Sequence, residues 1–176
     1  MLHVQAASPV RVEDNFLPKD QFKKLQEWFV NDRSVFEKCP WVYCPYVIGP
    51  GDHPDDFQFI HVFWYPNRGP VSEHINVIEP IMQKINPSIW LRIKANLRLK
   101  TDKVRVGGMH TDVGNYGHTT SIFYVNSNDG CTTFENGDTY KSVENRLITF
   151  PSHLRHAGSS PSNTKTRFVI NFNYFQ

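Results

Sequence analysis

Cysteine is scarce: Cys39, Cys44 and Cys131 are the only three in 176 residues. That number is too small, and odd, for a disulfide framework. Cys39 and Cys44 stand beside Pro40 and Pro45, but no second Cys or His pair at zinc spacing follows, so free thiols are expected. Long apolar runs are missing as well. No window approaches the ~18 consecutive apolar residues that a spanning helix needs. The opening MLHVQAASPVRVEDNF carries charge where a secretory leader would be apolar, so a soluble, cytoplasmic chain is expected. Charge of one sign is also lacking. Nineteen Lys and Arg against 17 Asp and Glu leave +2, which gives no footprint for nucleic acid or an anionic membrane. Neither partner is expected, and nothing in the sequence speaks to oligomeric state.

What is present is an ordinary globular composition, 39% apolar and 20% charged, at a length suited to one domain. Aromatics are abundant, with 13 Phe, 7 Tyr and 4 Trp, and 12 Pro with 10 Gly argue against an all-helical bundle. A mainly β domain with some helix follows.

Phe22, Leu25 and Phe29 recur at helical spacing within 18–31, and Pro18 suits a helix start. Residues 39–56 are dense in Pro, Gly and Asp, an ordered loop with room for one short strand. FQFIHVFW (57–64) reads as a strand closed by the turn signal of 65–70. Ile75, Ile78, Ile81, Met82 and Ile85 mark a second helix over 71–86, which Pro80 should kink or restart. From residue 90 the period changes to two: Leu91, Ile93, Ala95, Leu97 and Leu99 alternate with Arg92, Lys94, Asn96, Arg98 and Lys100. Further strands are expected at 103–112, 119–125, 131–135, 146–150 and 167–174. Six to eight short strands at this spacing indicate an antiparallel sandwich or barrel, with the two helices covering one sheet.

Eight histidines are present, and their placement matters more than their number. His110-Thr111-Asp112 on a strand would project an imidazole and a carboxylate from one face, two thirds of a facial triad for non-haem Fe(II). A distant histidine must complete it; His156 lies beyond the 146–150 strand, and His153 is its rival. Arg167 then opens the last strand, on a face continued by Val169, Asn171 and Asn173. A guanidinium inside a barrel requires an anion, and its fork suits the carboxylate of a bound small acid. The H-x-D alone is weak, because chance supplies roughly half a match and His53-Pro54-Asp55 is another. Order and strand context make the case.

That order, His-x-Asp, then His, then Arg on successive late strands, resembles the 2-oxoglutarate and Fe(II)-dependent oxygenases. Within them it is most similar to the prolyl-4-hydroxylase-like branch, which includes small phage proteins. Ile122–Asn126 resembles the family strand ending in Tyr-Leu-Asn, Asp129–Phe134 its Gly-Gly-x-Thr/Leu-x-Phe element, Arg146–Ser152 with His156 its R-L-x-x-F-P-S…H run, and Arg167–Phe172 its closing strand. Four elements in family order, spread over about 90–175, make the match specific. The resemblance implies a double-stranded β-helix (jelly roll) of mainly β, α+β class with N-terminal supporting helices. It implies that His110, Asp112 and His156 ligate Fe(II), and its spacing selects His156 over His153. It further implies that Arg167 holds the distal carboxylate of the cosubstrate 2-oxoglutarate, with Tyr124 and either Asn96 or Arg98 adding contacts. The implied activity is an O2-dependent dioxygenase hydroxylating a peptidyl-prolyl, other amino-acid or small-molecule substrate, with release of succinate and CO2. Asp112 favours hydroxylation, because family halogenases carry a small residue there. Departures are Cys131 in place of the second glycine, and Lys100 where a Tyr ten residues before the first ligand is usual.

Two other readings stand beside this one. A nucleic-acid demethylase of the alkylation-repair type would place a second Arg where Asn173 stands. A non-enzymatic jelly-roll module would leave His110 and Asp112 on the surface. His118 and Tyr116, in the GNYGHTT loop, suit either substrate contact or an exposed turn. His3, His61 and His74 suit packing or solvation. Trp41, Tyr43 and Tyr46 suit a lid, a peptide groove or core packing. The expected division is a single domain over 1–176, with 1–89 as helical support and loops and 90–176 as the metal-binding barrel.

Overall fold

The computed structural model describes residues 8–30, 39–50, 52–53, 56–114 and 116–176. His3 and the Pro54-Asp55 part of the second H-x-D lie outside them. The strands are β1 (Arg11–Glu13), β2 (Val42–Cys44), β3 (Gln58–Tyr65), β4 (Gly69–Pro70), β5 (Ile89–Leu99), β6 (Thr119–Tyr124), β7 (Cys131–Phe134), β8 (Thr139–Lys141), β9 (Arg146–Pro151), β10 (His156–Gly158) and β11 (Thr166–Phe175). The helices are α1 (Lys19–Val30) and α2 (Glu79–Ile85), the latter preceded by a 3-10 turn at Ile75–Val77. Pro80 falls in the first turn of α2, where its missing N–H costs nothing, so the helical stretch restarts rather than kinks.

The strands form two antiparallel sheets. The larger runs β1-β9-β6-β11-β5-β3-β2, with β4 paired onto β3, and the smaller runs β10-β7-β8. Residues before 90 therefore supply four strands of the large sheet as well as the helices. The eleven strands among the described residues exceed the six to eight expected. The additions are mostly segments of two or three residues, which acquire strand geometry only because a partner passes alongside. One expected strand does not form. Residues 103–112 make only isolated bridges, Val106 to Ser159 and His110 to His156.

Alternation in the central strands divides two cores. Ile93, Ala95 and Leu97 of β5, Phe123 of β6 and Phe168, Ile170 and Phe172 of β11 face the helices, packing with Phe22, Leu25 and Phe29 of α1 and Ile81 of α2. Full burial of each of those large side chains contributes about 1.5–3 kcal/mol. Ile122, Tyr124, Ile148, Phe150 and Val169 point the other way, toward the small sheet and Phe134. The large sheet is thus covered by helices on one side and by the small sheet on the other, and between the sheets lies a cavity.

The polar residues of β5 face that cavity instead of solvent. Lys94, Asn96 and Arg98 line it together with Arg167, Val169 and Asn171 of β11. Lys100, past the end of β5, is exposed.

Candidate metal centre and anion pocket

His110 and His156 come together through backbone pairing. Each N–H donates to the other's carbonyl at 2.9 Å, and the imidazole centroids stand 5.0 Å apart. The His110 Nδ1 faces the Gly108 carbonyl at 3.0 Å, and the His156 Nδ1 faces that of Leu154 at 3.3 Å. A carbonyl accepts only, so each Nδ1 carries the proton and each Nε2 is left with a lone pair, the tautomer a metal ligand needs. The Asp112 Oδ2 lies 3.9 Å from His156 Nε2. One ligating atom from each of His110, Asp112 and His156 falls within 4.8 Å of the others. No strand holds the H-x-D, so the period-two argument does not explain this convergence; the bridge to His156 does.

Three further side chains hold Asp112. Arg92 Nη2 lies 3.0 Å from Oδ1, an ion pair lacking hydrogen-bond alignment. The Asn171 Nδ2 donates at 3.3 Å and that of Asn173 at 3.4 Å. Burial acts to raise the Asp112 carboxyl, but neighbouring positive charge, Arg92 foremost with Lys94 adding to it, outweighs it and holds the group well below the usual carboxylate range. Burial pushes His156 down, against the pull of Asp112, which favours the neutral ring. Two imidazoles with Nε2 lone pairs and one ionised carboxylate, with Oδ1 engaged by Arg92 and Oδ2 nearest His156, fit a divalent cation of the 2-His-1-carboxylate type.

Deeper in the same cavity lies Arg167, 3% exposed. Its Nε donates to Ser142 Oγ at 2.7 Å, Nη2 to Thr132 Oγ1 at 3.2 Å and Nη1 to the Ser159 carbonyl at 3.4 Å. All three acceptors are neutral, and no carboxylate among the described residues pairs with it. The Tyr124 ring lies 5.6 Å from the guanidinium carbon, and its hydroxyl donates to Thr132 Oγ1 at 2.8 Å. Thr132 therefore accepts from both, leaving its own proton free for a third group. Gly130 makes room for the arginine, since a β-carbon there would stand 2.7 Å from Arg167 Cδ. The His110, Asp112 and His156 cluster and the arginine line one cavity.

Asn96 lines this cavity, and its buried Oδ1 has no hydrogen-bond donor. Arg98 lines it too, but is paired with Asp56 at 2.9 Å. His153 lies apart, in a surface hollow with Phe134, Glu135 and Arg155, so it does not compete for the cluster. His118 is buried, not in an exposed turn, with both ring nitrogens unpartnered; burial lowers its pKa. His61 packs against Phe63 and Trp28, bonded to the Pro40 carbonyl and Ser72. Trp41 joins the helix-side core, while Tyr43 and Tyr46 are exposed. Sequence reasoning missed Arg92 as the partner of Asp112, and Thr132, Ser142 and Ser159 as acceptors for Arg167. The alternation of β5 was the available signal for Arg92; single hydroxyl residues carry none.

No protein-family model matches the chain, and no curated protein sequence is similar to it. Solved structures are. A prolyl hydroxylase from Trichoplax adhaerens, in complex with a peptide fragment of the hypoxia inducible factor oxygen degradation domain, superposes with a TM-score of 0.57 at 14% identity, covering 96% of this chain and 84% of that one. The viral collagen prolyl hydroxylase of Paramecium Bursaria Chlorella virus-1, in complex with 2-oxoglutarate, gives 0.57 at 14% identity, over 98% and 99%. The non-heme alpha ketoglutarate dependent epimerase of nogalamycin biosynthesis gives 0.63 at 9% identity, over 96% and 76%. The chain has the double-stranded β-helix fold of these oxygenases.

Proposed function

We propose that the protein is a non-haem Fe(II) and 2-oxoglutarate-dependent dioxygenase that hydroxylates an amino-acid substrate, peptidyl-prolyl or other, with release of succinate and CO2. The observation that carries this is Arg167, a buried guanidinium without an anion in the same cavity as His110, Asp112 and His156. A buried unpaired charge costs several kcal/mol, and a dicarboxylate would relieve that cost at one end while reaching the metal cluster with the other. The fold shared with 2-oxoglutarate oxygenases supports the reading.

In this reading His110, Asp112 and His156 hold Fe(II), which when bound supplies the centre for O2 activation coupled to cosubstrate decarboxylation. Arg167 grips the distal carboxylate, and the free Thr132 proton donates to it. Tyr124 fixes that threonine and shields the arginine from water. Arg92 keeps Asp112 ionised and turned so that Oδ2 faces the imidazoles. Asn96 lines the path between the two ends. Asn173, where the demethylase reading would need a second arginine, instead donates to Thr120 at 3.1 Å.

Anaerobic addition of Fe(II) and 2-oxoglutarate tests this directly. A weak visible charge-transfer band is expected with wild type and none with Asp112→Ala. Wild type that binds neither metal nor 2-oxoglutarate would sink the reading.

A further inference from the structure

Lys94 is the cation that the proposed chemistry leaves unused. It projects into the cavity from β5, opposite Asn171 in the β5–β11 ladder, and Asn171 donates to Asp112. Lys94 therefore stands at the metal end. Arg98, four residues along the strand, stands opposite Arg167 at the far end, about 13 Å away at ordinary strand rise. Arg92 is matched to Asp112 and Arg98 to Asp56. No carboxylate among the described residues lies within ion-pair reach of the Lys94 ammonium. Burial, with Arg92 acting in the same direction and the more distant Asp112 charge opposing both, brings it down to about 8, which leaves it charged at neutral pH. A 2-oxoglutarate molecule has two carboxylates, one engaged by Arg167 and one turned to the metal, and so offers Lys94 none of its own.

A second observation lies beside the first. The Oδ1 atoms of Asn96 and Asn171 are buried with no donor. An orphaned buried acceptor costs about 1–3 kcal/mol, and 2-oxoglutarate carries no N–H or O–H to satisfy it. A cation wanting a carboxylate, next to acceptors wanting donors, matches the two ends of a free α-amino acid. An internal residue of a peptide has neither group free.

Building on the oxygenase reading, we infer that the substrate is a free amino acid, its carboxylate on Lys94 and its ammonium donating to Asn171 Oδ1. The ammonium–carboxylate contact would set orientation and selectivity, since binding the neutral amide would leave the half-buried Lys94 unpaired.

The test is thermal shift and calorimetry on full-length protein loaded with Zn(II) and 2-oxoglutarate, titrated with each of the 20 L-amino acids and with their C-terminal amides. At least one free acid should bind, with its amide about tenfold weaker or worse. Lys94→Met, which preserves volume and removes a half-buried charge, should fold, abolish the preference for acid over amide, and leave 2-oxoglutarate affinity within about threefold. Lys94→Arg should retain the preference. The inference is overturned if no free acid binds, if acid and amide bind alike, or if Lys94→Met weakens 2-oxoglutarate as much as the amino acid. Failure to bind Zn(II) and 2-oxoglutarate in the loading step would instead count against the oxygenase reading itself.

Discussion

Arg98 and Arg167 face each other across the β5–β11 ladder, a like-charge pair at a register position where such pairs destabilise a sheet. Both are buried. Asp56 offsets Arg98 at 2.9 Å, drawing the loop before β3 onto the barrel. Arg167 has hydroxyls and a carbonyl only, so its charge awaits an anion from outside the chain.

Replacement of Arg167 by Met should therefore separate two quantities. Affinity for 2-oxoglutarate falls by about 2 kcal/mol or more, roughly 30-fold, with loss of a charge-assisted fork. Stability of the ligand-free protein holds or rises, because an unpaired buried charge is removed. Calorimetry with 2-oxoglutarate and a melting curve without it check the pair. Unchanged affinity would move the anion site elsewhere.

Metal content should distinguish the two late histidines. His110→Ala, Asp112→Ala and His156→Ala should each lose bound Fe(II) or Zn(II), while His153→Ala keeps it, because His153 sits in a separate surface hollow. Elemental analysis after dialysis gives the answer. Loss in His153→Ala matching that in His156→Ala would reassign the third ligand.

Acid should destabilise the protein through His61. Burial, with a smaller contribution from His74, lowers its pKa against the pull of the Pro40 carbonyl, and the Ser72 hydroxyl at 2.8 Å occupies its second nitrogen. The folded group binds its proton more weakly than an unfolded histidine near 6.5. The unfolded state thus takes up more protons, and stability present above about pH 6.5 is lost as pH falls through the lower folded value. Melting temperature followed from about pH 8 to pH 5 should decline, and His61→Gln should start lower but decline less. A profile identical to wild type would remove His61 from the account.

Asn145 anchors the segment before α1. It adopts φ 58°, and its side chain pairs with Leu17 as a strand would, Oδ1 accepting from N–H and Nδ2 donating to the carbonyl, both at 2.8 Å. Asn145→Gly loses the two bonds alone, about 1–3 kcal/mol. Asn145→Ala adds the left-handed penalty of about 1–2 kcal/mol. Urea denaturation of both variants should rank wild type, Gly, Ala; equal values for Gly and Ala would show that the backbone contributes nothing.

Legibility in the sequence followed locality. α1 was readable because Phe22, Leu25 and Phe29 repeat within one helix, and β5 because its alternation spans ten residues. The chemistry of the cluster was readable in residue types and order. The geometry around His110 was not, because residues 103–112 take their shape from Ser159 and His156, some fifty residues on. The Arg98–Asp56 and Arg92–Asp112 pairings were equally hidden, since nothing in the local sequence states which charge a barrel will fold against another. The very short strands β1, β8 and β10 carry no period of their own.

The two-sided character of β5 makes its position on β11 self-checking during folding. A slip by a single residue would exchange Ile93, Ala95 and Leu97 with Arg92, Lys94, Asn96 and Arg98. Three cations would then be driven into the aromatic layer beneath α1, while aliphatic side chains lined a cavity with nothing to bind. Such an error is penalised twice, by desolvation on one side and by lost burial on the other. Correct assembly of the sheet and correct assembly of the pocket are, in this chain, a single event.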